Sequence, residues 1–193
     1  MPSPPAACEW LMDNWYMVQR EYRFVLSELE KQKRLRSSGG VPVLLELCRS
    51  LISSGAGAIS AERCRLYLEG FQQQSPLQRR ELLLFPAILR QGIIESIASV
   101  CRSMQYAAET SAHAQTLSNL FSSLRLLSVI DMEKLMQSVD LSDAILAHDP
   151  TGHYPKMDNA TRHDYLKRLE KLAKAAGVSE QDYARKLLSQ AEQ

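Results

Sequence analysis

The chain has 193 residues, of which 45% are hydrophobic and 23% charged, with 23 Lys and Arg against 22 Asp and Glu for a net charge of +1. That balance suits one globular module able to bury a core without disulfides or metal; it excludes a wholly disordered or collagen-like chain. It also leaves no long-range field for a binder of phosphate backbones.

Alternating apolar patterning never persists, whereas helical spacing recurs throughout, so an all-α fold is expected. A first helix is predicted over 6–36, with Leu11, Trp15, Val18, Tyr22, Val25 and Leu29 as a heptad-like inward stripe. Lys31, Lys33, Arg34 and Arg36 would complement its C-terminal dipole, a better reading of KQKRLR than a nucleic-acid or nuclear signal. Ser37-Ser38-Gly39-Gly40 then ends it. Pro42 suits the first position of a helix over 43–53 that turns Leu44, Leu45, Leu47, Leu51 and Ile52 inward. The loop Ser53-Ser54-Gly55-Ala56-Gly57 follows a helix and lacks the Lys-Ser/Thr of a P-loop, so it reads as a connection and not a phosphate cradle.

A third helix over 61–74 buries Cys64, Tyr67, Leu68 and Phe71. Ser75 as N-cap, Pro76 at the first helical position and Gln78 closing a capping box then open a long helix through 104. Being apolar on nearly every face, it belongs at the centre, with a kink at Pro86, which cannot donate to the Leu82 carbonyl. Its most apolar stretch, 82–98, is interrupted by Arg90 and Glu95, short of a membrane span. Beyond a weak break at 109–113, a helix carries Leu117, Leu120, Phe121, Leu124 and Leu127. A capping box over 128–131 opens a short helix to 138, and Asp140 starts another that Asp149-Pro150 stops. After a loop over 151–157, Asp158 caps a helix striped by Tyr165, Leu169, Leu172 and Ala176 and ended by Gly177. Ser179 with Asp182 opens the last helix, with Val178 stapled onto Tyr183. That helix is still amphipathic at Gln193, as in a chain cut from a longer protein.

The first ten residues lack the basic and apolar regions of a secretory signal. Cys8, Cys48, Cys64 and Cys101 are widely separated with no C-x-x-C, and read as reduced thiols. Candidate chemistry concentrates near the 149–165 stretch. His148, His153 and His163, with Asp149, Asp158 and Asp164, could bind a transition metal, but no zinc spacing is matched and exposed loop histidines are the better reading. Asp149 and Asp158 could form a glycosidase acid–base pair; both stand at helix boundaries, where aspartate stops and caps helices. Arg162 shares the inward stripe with Tyr165 and Leu169, and an inward guanidinium needs acceptors. The expectation is a clamp on the 149–158 loop through Asp158 and Asp149. Tyr154 is expected to pack on that loop in preference to stacking a sugar or accepting a glycan. No G-x-S-x-G and no Ser/His/Asp arrangement supports nucleophilic catalysis. Trp10 and Trp15 read as anchors of the first helix.

Three stretches carry a family resemblance. The first joins Ser75-Pro76-Leu77, Glu81-Leu82 and Phe85-Pro86-Ala87-Ile88-Leu89-Arg90; the second runs from Ser123 through Arg125 to Asp131. The third is D-P-x-G-x-Y-x-x-M-D-x-x-T-R-x-x-Y, formed by Asp149, Gly152, Tyr154, Asp158, Thr161, Arg162 and Tyr165 with their neighbours. In order and spacing they resemble the N-terminal helical region of cyclic β-1,2-glucan synthases, large bacterial inner-membrane proteins with a glycosyltransferase and a phosphorylase-like domain. Leu83-Leu84 and Met132 depart from the family's pattern, which has tryptophan there. The resemblance implies a parent that transfers glucose from UDP-glucose, with a divalent metal, in domains outside this chain. None of the family's catalytic, cofactor or metal residues maps onto these 193 positions, and the candidates above, with Arg125 and Asp131, are structural or interface residues.

The expected fold is an irregular bundle or array of about eight helices around a long Pro-kinked central one. A single module is expected: 1–40 as a long helix and linker, 41–148 as helical core, 149–193 as a loop and two helices. Its expected partner is the transferase domain of the same polypeptide, at the cytoplasmic face of the bacterial inner membrane. Nucleic acid is not expected, and membrane enters only through the parent's spans. The alternative is a free-standing helical adaptor that binds a partner helix through the first stripe.

Overall fold

The computed structural model describes residues 6–30, 35–106 and 110–191. Among them are ten α-helices, one 3-10 turn and a two-residue hairpin, so the fold is all-α. The first helix is interrupted: α1 spans Ala6–Asp13 and α2 spans Trp15–Glu30. Asn14 causes the break, its side-chain amide donating to the Trp10 carbonyl at 2.8 Å in competition with the backbone. The inward face is Asn14, Met17, Val18, Glu21 and Val25. Trp15 and Tyr22, expected inside, are 49% and 52% exposed. The face turns because Glu21 is drawn inward to meet Arg90. Lys31, Lys33 and Arg34, expected at the helix end, lie outside the described residues.

The expected linker at 37–40 is a hairpin. Ser37–Ser38 (β1) pairs antiparallel with Val41–Pro42 (β2), and Gly39 and Gly40 hold the positive φ values (58° and 82°) that a two-residue hairpin turn requires. Pro42 precedes α3 (Val43–Ser54) instead of opening it, and the four leucines and one isoleucine expected inside α3 are buried together with Cys48. After α4 (Ala61–Gln72), the long helix α5 (Arg79–Tyr106) runs unbroken through Pro86. It starts three residues later than expected. Gln78 caps it, its carbonyl receiving the Glu81 and Leu82 N–H groups and its own N–H donating to Glu81 Oε2 at 2.9 Å. The Gln72 carboxamide holds the Leu77 N–H at 3.3 Å and keeps Pro76 outside the helix. By length and composition α5 could cross a membrane; half of its most apolar window is buried within the protein.

Thr110 caps α6 (Ser111–Leu127) in a capping box with His113. The box expected over 128–131 does not open α7 (Met132–Ser138), because Ser128 is spent on the end of α6, its hydroxyl donating to the Arg125 carbonyl at 2.6 Å. Asp140 caps α8 (Leu141–Leu146), a 3-10 turn covers Tyr154–Lys156, and Asp158 caps α9 (Asn159–Ala176). Gly177 ends α9 in the left-handed region, and Ser179 with Asp182 opens α10 (Glu180–Ala191).

The helices form two compact units. One comprises the described residues up to Tyr67 with Leu83–Met132, around fully buried Leu44, Leu51, Phe85, Leu89, Ile93, Leu120, Phe121 and Leu124. Gly92 lets α5 approach α3 closely, since a Cβ there would stand 2.9 Å from Ile52 Cδ1. Arg90, read only as an interruption of an apolar helix, is a buried staple. It donates to Glu21 Oε2 (2.8 Å) and to the carbonyls of Pro86 (2.9 Å) and Leu127 (2.8 Å). The other unit, Leu68–Leu82 with residues from Glu133 onward, packs α8, α9 and α10 around Leu146, Tyr154, Leu166, Leu169 and Ala184. On α9 the buried set is Leu166, Leu169 and Ala173, while Tyr165 and Leu172 are about half exposed, so the expected stripe is rotated by a residue.

Candidate functional site

The chemistry-bearing residues of the second unit gather in two adjoining sets. In the first, Asp149 accepts from the N–H groups of Thr151, His153 and Tyr154 (3.0 Å each) and from the Thr151 hydroxyl (2.7 Å). Gly152, at φ +67°, makes the turn that aims these donors at one carboxylate. The Tyr154 N–H first, then the Thr151 hydroxyl, lower the Asp149 carboxyl to about 2. Asp158 receives the Thr161 N–H at 2.7 Å, and that bond lowers it too. Tyr154 is buried, its hydroxyl donating to Asp143 Oδ1 at 2.6 Å. Burial, then the bond to Asp143, push the phenol well above its ordinary range.

Arg162 does fasten this loop, but not through the aspartates. Its Nη2 donates to the Pro155 carbonyl at 2.6 Å and its guanidinium lies 5.5 Å from the Tyr154 ring centroid. Both carboxylates accept backbone N–H groups, and the guanidinium meets a carbonyl and a π-face instead. Buried Nε of Arg162 has no hydrogen-bond partner among the described residues.

The second set centres on Arg79, the first residue of α5, whose side chain is 9% exposed. Its Nη1 donates to Asp140 Oδ2 at 3.2 Å and its Nη2 lies 2.8 Å from His163 Nδ1. A guanidinium cannot accept, so in this contact Arg79 Nη2 is the donor and His163 Nδ1 the acceptor. The Arg79 backbone N–H, one of the donors a helix start leaves over, is received by Glu180 Oε2 at 2.9 Å. Asp140 faces two ways, as its Oδ1 takes the Ser142 and Asp143 N–H groups at the head of α8. Burial raises both acids, Glu180 to about 7.

The structure therefore brings Asp149, Gly152, Tyr154, Asp158, Thr161 and Arg162 into one clasp. Arg125 and Asp131 belong to the other unit, where Arg125 Nη2 donates to Asn14 Oδ1 at 2.9 Å and Asp131 precedes α7. The histidines serve separate neighbours: His148 the Ala144 carbonyl, His153 the Thr151 hydroxyl, His163 Arg79. His163 lies on α9, not in a loop. No group of three His, Cys, Asp or Glu among the described residues is placed to hold a metal ion. Asp149 accepts three backbone N–H groups and Asp158 accepts the one that caps α9. Two carboxyls held ionised in this way are poor proton donors, and the arrangement fastens loops and helix ends together.

Arg79, Asp143 and Glu180 are not legible in the sequence as site residues. Glu180 carries only the ordinary mark of an acid in a first helical turn. Its partner lies 101 residues away, beyond the reach of local pattern. No family model, no curated protein and no solved structure matches the chain.

Proposed function

We propose that the chain is the non-catalytic helical module of a cyclic β-1,2-glucan synthase-like membrane glycosyltransferase, packing against the transferase domain at the cytoplasmic face of the bacterial inner membrane. One observation carries the reading. The signature residues behind the resemblance, Asp149, Gly152, Tyr154, Asp158 and Arg162, are the ones that build the clasp, each spent on a backbone group, a buried side chain or the turn itself. Such a signature is accounted for by the shape of the loop. Reading the coding sequence beyond Gln193 tests this: a transferase domain with an acidic metal-binding motif and membrane spans should follow, and a stop codon there would overturn it. With UDP-glucose, these 193 residues alone should yield no β-1,2-glucan, and product from them would assign chemistry to the module itself.

A free-standing adaptor is the second reading, favoured by the exposed Met12, Trp15, Tyr16 and Tyr22 on the first two helices.

A further inference from the structure

The outer face of α1 and α2 is apolar and has a symmetric order. At 100° per residue along α2, Trp15, Tyr16, Gln19, Tyr22, Arg23 and Leu26 all lie within about 60° of Gln19, opposite the buried Val18–Glu21–Val25 face, and Met12 of α1 is exposed ahead of them. All seven are exposed, the apolar ones by 65% (Met12), 49% (Trp15), 62% (Tyr16), 52% (Tyr22) and 42% (Leu26). Together they present on the order of 500 Å² of apolar surface, at the upper end of the largest patch a monomer usually carries.

We propose that this face pairs with the same face of a second copy of the chain, antiparallel, about a two-fold axis through Gln19. The exposed positions of α2 are equally spaced in both directions from that point, tyrosine matching tyrosine at three residues and Trp15 standing opposite Arg23 at four. A two-fold axis places each residue against the one equally far on the other side of Gln19. Tyr16 then meets Tyr22 as an aromatic pair. Trp15 receives the Arg23 guanidinium over its ring, and the Gln19 carboxamide meets its own copy, donor to acceptor. No charge faces its like. Burying the patch on both copies removes about 1,000 Å², the lower bound for a specific interface, so the dimer is weak, with a dissociation constant on the order of 10–100 µM. The inference stands apart from the glucan synthase reading and survives its failure.

Sedimentation equilibrium of the full chain over that concentration range tests it. The wild-type chain should move from monomer to dimer. Arg23→Glu and Trp15→Lys, both on the solvent side of the helix, should each weaken association about tenfold or more, with helical content by circular dichroism unchanged. Mixed in equal amounts, the two variants should recover a heterodimer. One Trp15–Arg23 contact is then retained, and at the other the introduced carboxylate of one chain meets the introduced ammonium of its partner. A wild-type chain monomeric throughout overturns the proposal, including one that instead binds lipid vesicles or soluble glucan through this face. So does a dimer indifferent to both substitutions, or variants that fail to recover on mixing.

Discussion

Burial, followed by the charges of Glu170 and Asp140, lifts the Glu180 carboxyl from its ordinary 4.5 to about 7, although the Arg79 N–H pulls the other way. An acid raised on folding holds its proton more tightly folded than unfolded. Its favourable contribution is complete below 4.5 and is lost as the pH rises through about 7. Asp149 has the opposite sign: lowered from 3.8 to about 2, it favours the fold above 3.8 and loses that as the pH falls towards 2. Glu180→Gln keeps an acceptor for the Arg79 N–H and removes the buried charge. At about pH 8 the variant should exceed the wild type in stability by on the order of 2 kcal/mol, and at about pH 5 the gap should largely close. Urea unfolding of both proteins at the two pH values measures this. A variant no more stable than wild type at the higher pH would contradict the raised carboxyl.

At the scale of single helices, caps are the legible feature. Asp140, Asp158, Ser179 and Gly177 stand at the helix ends where short-range hydrogen bonding and backbone preference put them. Two start signals three residues apart, Ser75-Pro76 and Gln78 with Glu81, compete for α5; the outcome depends on Gln72 reaching Leu77, which no cap rule contains. The facing of α2 and α9 escapes the pattern. Trp15, Tyr22 and Tyr165 look like core residues, whereas the inner face of α2 includes Glu21, admitted because Arg90 awaits it, and that of α9 is Leu166, Leu169 and Ala173. The clasp at the head of α9 gives a clean test of backbone against contact. Gly152 sits at φ +67° with no atom within 4 Å of where a Cβ would stand. Gly152→Ala therefore meets no clash and should cost only the left-handed conformation, about 1–2 kcal/mol. Hydrogen exchange should show the loss first at the His153 and Tyr154 amides, which depend on the turn to reach Asp149. An alanine variant with unchanged stability and exchange would mean that the turn does not hold these donors in place.

Across the whole molecule, the division into two units runs through contacts that local pattern does not encode. The segment Leu68–Leu82 joins residues from Glu133 onward by Gln72 donating to the Val139 carbonyl (2.8 Å), Gln181 to the Leu77 carbonyl (3.3 Å) and the Arg79 N–H to Glu180 (2.9 Å). Each link spans more than sixty residues, so sequence periodicity marks the helices but not their grouping. Opening of the other unit can be followed at its thiols. Cys48 and Cys64 are both 0% exposed, and burial raises them, Cys64 to about 11 and Cys48 well above its ordinary range. A thiol reacts as thiolate and only when a reagent reaches it, so both should label only through openings of the surrounding helices. Half-buried Cys101 should label sooner. Leu44→Ala, in the fully buried face of α3, removes a core side chain at a cost of about 3 kcal/mol. Where labelling waits on a pre-equilibrium opening, that cost speeds the reaction of Cys48 and Cys64 about 100-fold and leaves Cys101 nearly unchanged. Peptide mapping after timed alkylation separates the three cysteines. Equal acceleration at all of them, or native labelling of Cys48 at the rate of an unfolded peptide, would show that these thiols are not sealed by the packing of α3 and α4.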